Sequence, residues 1–305
     1  MRACITRLVL GVGFVVMQQT GEAQETERVL SVLRMPAWPR AAALANIGAA
    51  TSLPEAVFYN PALAGTVAAI AGSAHFYGSD STLNTLVAGL STGVVSVAAG
   101  VQLLRADIGF DPLVDPIPGS GATRNHSLTS VTTLGGSMRL KGMRWGASAK
   151  YITLVERGID ADGFAFDLGT QRQIGPFSVG LAVQNLGDGI NFGSSDELEM
   201  PTRVTLAAEG GGLPQGAFIE FGALAALSVD QDGEVLPAAG GQVIYAPLDG
   251  WTFSFRAGAR RPAPTSNERP LTGGLALTLD RLTIDYAVEG VKHGDAVHRI
   301  GVRLR

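Results

Sequence analysis

From Ser81 to the C-terminus the chain repeats one unit of about ten residues, apolar side chains alternating with small or polar ones, followed by connections that are short and long by turns. The last hairpin displays it best. Leu282, Ile284, Tyr286 and Val288 share one face, and Thr283, Asp285, Ala287 and Glu289 the other. In the partner strand Ile300, Val302 and Leu304 point one way, and Arg299, Gly301, Arg303 and Arg305 the other. A period of two puts each set on its own side of a sheet. One side is therefore continuously apolar, while on the other acids of one strand meet bases of the next.

The same reading assigns outward faces along the chain. Leu83, Thr85 and Val87 come first, then Val95, Val97, Ala99 and Val101, then Trp145, Ala147, Ala149 and Tyr151. Phe164, Phe166 and Leu168 continue the series, followed by Phe177, Val179, Leu181 and Val183. Val204 with Leu206, the neighbourhood of Phe218, and Val243 with Tyr245 come next; Trp251, Phe253 and Phe255, then Leu275, Leu277 and Leu279, precede the final hairpin. Counted from Val67 there are about fourteen such segments, an even number as a closed transmembrane barrel with both ends on one side requires. The expected short connections are Ser91 to Gly93, Leu140 to Met143, Gln171 to Pro176, Gly210 to Gly216, Pro247 to Gly250 and Asp280-Arg281. Longer ones are expected at Arg105 to His126, Leu186 to Met200, Val229 to Pro237 and Arg260 to Pro270. Closure follows from solvation, since an open sheet edge in hydrocarbon leaves backbone groups unpaired at several kcal/mol each.

The N-terminal part differs. Residues 1–23 read as a secretory signal peptide, with Arg2 and Arg7 before an apolar run from Leu8 to Met17 and a small-x-small site at Gly21-Glu22-Ala23. That run falls short of the roughly 20 residues a helical span needs. Residues 24–66 are expected to form a periplasmic lead-in followed by a lumen plug. Gln24 to Arg40 is polar with two prolines, whereas Arg40 to Ala50 is alanine-rich enough for a short helix or a packed coil. Residues 67–305 are the barrel. Cys4, the one cysteine, sits in the signal peptide, so neither a disulfide nor a cysteine-held cofactor is expected, and no other cofactor is implied.

Composition agrees with this fold class. Forty glycines with a mean hydropathy of +0.22 suit strands with apolar outward and small inward positions. A soluble β-sandwich would alternate as well, but it does not account for the short-long order of the connections. The formal net charge is −4, and no basic patch interleaved with aromatics appears, so nucleic acid is not an expected partner.

Glu55-Ala56-Val57-Phe58-Tyr59-Asn60-Pro61-Ala62-Leu63-Ala64-Gly65, preceded by the run Arg40 to Ala50, resembles the N-terminal block of the PorV/PorQ family of outer-membrane proteins, relatives of the FadL-type transporters of hydrophobic compounds. Gly146 to Tyr151 leading to Gly180 to Gly187, and Asp285-Tyr286-Ala287 running to His298-Arg299-Ile300, look similar too. The resemblance implies a fourteen-stranded barrel whose N-terminal segment, including the Asn60-Pro61-Ala62 turn, plugs the lumen. In the transporter relatives, hydrophobic ligands enter the barrel and leave sideways through its wall. In the PorV branch the barrel serves secretion and attachment of surface proteins.

Two groups of residues are candidates for function. Asn60, Pro61 and Ala62 form either part of a gate or a structural turn between plug and first strand, since proline fixes φ and an asparagine side chain can bond nearby backbone. Arg256, Arg260, Asp285, Glu289, Arg299 and Arg303 occupy inward positions on late strands. They read as a ladder of paired lumen charges that holds the barrel and docks the plug, or as a site for an anionic headgroup. His75, His126, His293 and His298 are too scattered for a metal site. His293 with Asp295 is the one local pair and has no nucleophile motif, so no enzyme is expected. Asp230-Gln231-Asp232-Gly233-Glu234 has its glycine and last acid misplaced for a calcium loop, and Asp-Gly is a good hairpin turn.

The expectation is thus an all-β chain, a monomeric transmembrane antiparallel β-barrel in the outer membrane, surrounded by its lipid. It would move or hold a hydrophobic small molecule, or anchor or shuttle secreted surface proteins.

Overall fold

In the computed structural model the strands follow one another from Ala69 to Leu304, each antiparallel to its neighbours. The described residues are 30–77, 81–107, 126–156, 159–192, 196–214, 218–264, 266, 268–292 and 296–305. The expected signal peptide with Cys4, most of the connection after Arg105, and the pair His293 and Asp295 lie outside them.

The strands are β1 (Ala69–Tyr77), β2 (Ser81–Ser91), β3 (Val95–Asp107), β4 (His126–Leu140), β5 (Met143–Glu156), β6 (Ile159–Ile174), β7 (Phe177–Leu186), β8 (Ile190–Phe192), β9 (Asp196–Leu198), β10 (Arg203–Pro214), β11 (Ile219–Asp230), β12 (Val235–Leu248), β13 (Trp251–Arg260), β14 (Glu268–Leu279), β15 (Leu282–Val291) and β16 (Val297–Leu304). Fourteen of them form one closed barrel, and β8 with β9 makes a separate two-stranded hairpin. The ring closes where Ile70 of β1 lies opposite Leu304 of β16. Among the described residues no helix is long and apolar enough to cross a membrane.

Tight connections gather at one end, the turn end. Lys141 and Gly142 take positive φ of 50° and 77° between β4 and β5, and Asp280 takes 51° between β14 and β15. Such backbone matches the twist of the flanking strands in a two-residue hairpin. The opposite, loop end is less uniform than the sequence suggests. The connection expected to be long around Val229 to Pro237 is a tight turn, because β11 runs to Asp230 and β12 starts at Val235. There Gly233 has φ 77°, and its N–H donates to the Asp230 carbonyl.

The outer wall is apolar as expected. Trp145, Phe164, Phe166, Leu168, Phe255, Leu275 and Ile300 are among its exposed large side chains. Strand β2 is the exception to the assigned faces. Leu83, Thr85 and Val87 point inward and are buried, while Leu86 is 59% exposed on the outside. Both faces of this strand are apolar because its inner face also has something to pack against: Leu83 belongs to a buried cluster that includes Leu30 and Val32, and Val87 to one with Phe58 and Ala64.

Those partners belong to residues 30–65, which lie within the ring. Helix α1 (Pro39–Ala43) packs on β13 to β16, the turn at Pro54–Phe58 on β1 to β4, and the turn at Pro61–Leu63 on β4 to β6. Residues 30–38, expected as a lead-in outside the barrel, sit among inward-facing residues, with Leu30, Val32 and Met35 in the apolar cluster near the loop end. Trp38 is fully buried. The segment's buried backbone is satisfied by the wall: Gln184 donates to the Phe58 carbonyl at 2.8 Å, Ser178 to that of Ala50 at 2.7 Å, and Thr272 to that of Ala43 at 3.0 Å.

Candidate functional site

The Asn60-Pro61-Ala62 turn sits in a seat made of glycines. Asn60 is fully buried; its amide donates to the carbonyls of Ala49 at 2.7 Å and Thr170 at 3.2 Å, and its side-chain oxygen accepts from the Ala62 N–H at 3.0 Å. This is an N-cap bond on the short turn that Pro61 opens. A Cβ on Gly169 would stand 2.0 Å from Asn60 Oδ1, one on Gly180 2.0 Å from the Ala49 oxygen, and one on Gly146 2.2 Å from the Pro61 oxygen. Three successive strands of the wall are thus bare where the turn touches them. Strand glycine often marks such close backbone approach, a signal the sequence carried beside the motif.

The six charged candidates divide into two tiers, with residues from β13, β15 and β16 in each. In the lower tier Arg256 bonds Asp285 at 2.5 Å, Asp285 also accepts from Arg303 at 3.3 Å, and Arg303 reaches Glu55 of the N-terminal segment at 3.2 Å. The indole N–H of Trp38 donates to the same Asp285 at 3.2 Å, and the Arg303 guanidinium lies 5.6 Å from its ring centre. In the upper tier Glu289 is bonded by Arg260 and, at 2.7 Å, by Arg299, while Arg260 also meets Glu268 at 3.0 Å. Arg256 spans β14 to reach Asp285 because the residues between are small: Gly274 is its neighbour in register and Ala276 that of Asp285.

Trp38 and Glu55 were not singled out in the sequence, nor was Arg40, which pairs with Glu209 at 3.0 Å. A tryptophan before Pro-Arg in an otherwise small-residue run was the available cue. Burial pushes the Glu55 carboxyl up from its ordinary range, with Arg303 pulling the other way; burial likewise pushes the Tyr59 hydroxyl up.

Between this segment and the loop end lies a cavity of about 740 Å³. Its apolar lining includes Met35, Ile47, Leu104 and Leu236, and its charged lining is Arg34, Arg203, Arg260, Arg261 and Arg299 with Glu268 and Glu289. Part of that charge is opposed: Arg260 and Arg299 meet Glu289, Arg260 also meets Glu268, and Arg203 lies across the β10–β11 pair from Asp230. The volume falls within the range of small-molecule pockets.

The two histidines whose side chains are described lie apart. His75 is buried on the inner face of β1 beside Ser73 at 3.0 Å, and His298 meets the Tyr286 hydroxyl at 2.7 Å on the outside. Among the described residues no group of three or more potential metal ligands converges. Asp230 to Glu234 forms the hairpin turn, with the Glu234 N–H donating to the Asp230 side chain at 2.9 Å.

No family model matches the chain, and no curated protein does. Solved structures do. The toluene transporter TbuX of Ralstonia pickettii superposes with a TM-score of 0.56 at 14% identity, over 88% of this chain and 98% of that one. The toluene transporter TodX of Pseudomonas putida gives 0.56 at 13%, over 87% and 96%. A FadL homologue of Pseudomonas aeruginosa gives 0.53 at 12%, over 88% and 98%. Nothing in these comparisons supports the PorV/PorQ branch of the resemblance. At such identities the likeness is one of architecture, and the chain has the fourteen-stranded closed-barrel fold of FadL-type outer-membrane proteins.

Proposed function

We propose that this protein is an outer-membrane channel for small hydrophobic molecules, with residues 30–65 as the plug of its lumen. The observation that carries the reading is the cavity of about 740 Å³ lined on one side by the N-terminal segment and on the other by residues at the loop end of the wall. A part-apolar, part-polar chamber of that kind suits a small organic ligand better than a protein partner, which would need apolar surface presented outward. Five arginines, Arg34, Arg203, Arg260, Arg261 and Arg299, line it against Glu268 and Glu289; the upper-tier pair Arg260 and Arg299 is held by Glu289, and the choice of an uncharged ligand rests on the apolar part of the lining. The fold likeness to toluene transporters adds support of its own.

In this reading the lower tier docks the plug. Glu55 and Trp38, from the plug, meet Asp285 and Arg303, from the wall, and the glycine seat holds the Asn60-Pro61-Ala62 turn. The protein would act as a monomer, without cofactor or catalysis, and a signal peptide at residues 1–23 would direct it to export. The PorV-like alternative, a barrel that anchors secreted surface proteins, draws only on the sequence resemblance. The deciding experiment expresses the protein in a strain lacking its own hydrophobic-compound channels. Uptake of a labelled uncharged aromatic hydrocarbon should rise. No gain in uptake, with loss of a surface-attached protein on deletion from the native host, would replace the channel with the partner barrel.

A further inference from the structure

Lumen faces of a membrane barrel are ordinarily polar, and most of this one is: Ser96, Thr133, Ser137, Ser148 and Thr205 all point inward. At the loop end of β2 to β6 that rule breaks. Leu83, Leu104, Val131, Ile152 and Leu154 form a buried apolar patch on the inner wall. Part of what covers it is the connection between β7 and β10, folded into the ring so that Ile190, Leu198 and Met200 join the same cluster. The fit is close. A Cβ on Gly163 of β6 would come within 2.6 Å of Ile190 and 3.4 Å of Met200.

The covering element is weakly tied. The β8–β9 hairpin has three paired positions, from Ile190 with Leu198 to its backbone neighbours, and no hydrogen-bonded place in the barrel sheet. A lone two-stranded hairpin is marginal in water, so its position depends on the apolar side chains it inserts and on a polar side-chain anchor beside it. That anchor is Asn185, whose backbone sits at φ 59° next to a register break between β6 and β7. Its amide donates to the Pro201 carbonyl at 3.0 Å, its side-chain oxygen accepts from Lys150 at 2.6 Å, and Lys150 pairs with Asp167 at 2.9 Å. Alongside it, the Thr202 hydroxyl donates to the Asn185 backbone carbonyl at 3.0 Å. Leu104 belongs both to the apolar patch and to the lining of the open cavity, so the two are contiguous.

Resting on the channel reading, we infer that the patch of Leu83, Leu104, Val131, Ile152 and Leu154 is a binding site for an uncharged hydrocarbon, held in its empty form by Ile190, Leu198 and Met200 of the β8–β9 hairpin. A ligand that enters the cavity reaches this site by displacing the hairpin, whose side chains are its intramolecular stand-in. The inserted aliphatic groups match such a ligand in chemistry, and the nearby charges, Lys150 and Asp167, are paired with each other.

The test is a reversible lock. In a chain otherwise free of cysteine after residue 4, Gly163→Cys with Ile190→Cys places two thiols at a spacing compatible with a disulfide. Naphthalene uptake is measured in vesicles carrying the wild type and the double variant, oxidised and reduced. The inference expects loss of uptake on oxidation and recovery on reduction. Uptake in the oxidised form equal to that in the reduced form overturns it. Asn185→Gly keeps the left-handed backbone while removing the anchor, and should speed uptake; an unchanged or slower rate counts against the hairpin as the displaced group. Absence of uptake by the wild type itself would instead sink the channel reading beneath it, a result distinguishable from failure of the lock.

Discussion

Arg303 reaches Glu55 at 3.2 Å across 248 residues of chain, and so ties the last strand of the barrel to the segment inside it. The same guanidinium holds Asp285, which in turn holds Trp38 and Arg256. Removing it leaves Asp285 with Arg256 but takes away the guanidinium that Glu55 bonds. Burial pushes the Glu55 carboxyl up, and loss of Arg303 removes the main charge that pulls it down.

Arg303→Met should therefore loosen the N-terminal segment without opening the barrel. Breaking a buried pair commonly costs about 3–5 kcal/mol, because the partner left behind is a buried charge without its counter-ion. The check is protease accessibility of residues 30–65, expected to rise while heat-modifiable migration of the folded barrel persists. Glu55→Gln combined with Arg303→Met should be no worse than Arg303→Met alone.

The glycine seat predicts a positional contrast. Gly169→Ala puts a methyl where Asn60 Oδ1 now lies, 2.0 Å away, whereas Gly136→Ala finds its nearest neighbour, the Ser96 oxygen, at 3.8 Å. Gly169→Ala should unseat the turn and raise single-channel leak in planar bilayers; Gly136→Ala should behave as wild type. Equal leak from both would mean the turn does not close the lumen.

Membrane depth gives a third check, on one strand. Leu275 and Leu279 of β14 both face outward, but Leu279 adjoins the Asp280-Arg281 turn. Arginine on the lipid face costs about 2–4 kcal/mol near the midplane and about 0–1 near the interfaces. Leu275→Arg should therefore lower folding stability in lipid vesicles far more than Leu279→Arg. Equal costs would contradict the placement of the turn end at the interface.

How much of this was legible in the sequence depends on what each strand packs against. Where the lumen side is small or polar, as in Thr283, Asp285, Ala287 and Glu289, alternation assigned the faces correctly, because only the lipid side is apolar. In β2 the inner face joins buried clusters with Leu30, Val32 and Phe58, so both faces are apolar and the period of two carries no sign. The infolded β8–β9 hairpin was hidden for a related reason: a connection of sixteen or so residues says nothing about which side of the wall it takes. Charge pairing was visible as a set of six residues, since alternate positions on neighbouring strands must meet. Its division into two tiers was not, because that depends on Trp38 and Glu55 arriving from residues more than two hundred positions away.

The central claim is that residues 30–65 close a channel. Deleting Arg40 to Asn60 in a barrel that still inserts removes α1, Glu55 and the Asn60 cap, leaving the wall intact. Conductance across a planar bilayer should then rise well above that of the wild type, and selective uptake of an uncharged hydrocarbon should be lost. Unchanged conductance, with loss only of export or attachment of a surface protein, would contradict the channel and leave the partner barrel in its place.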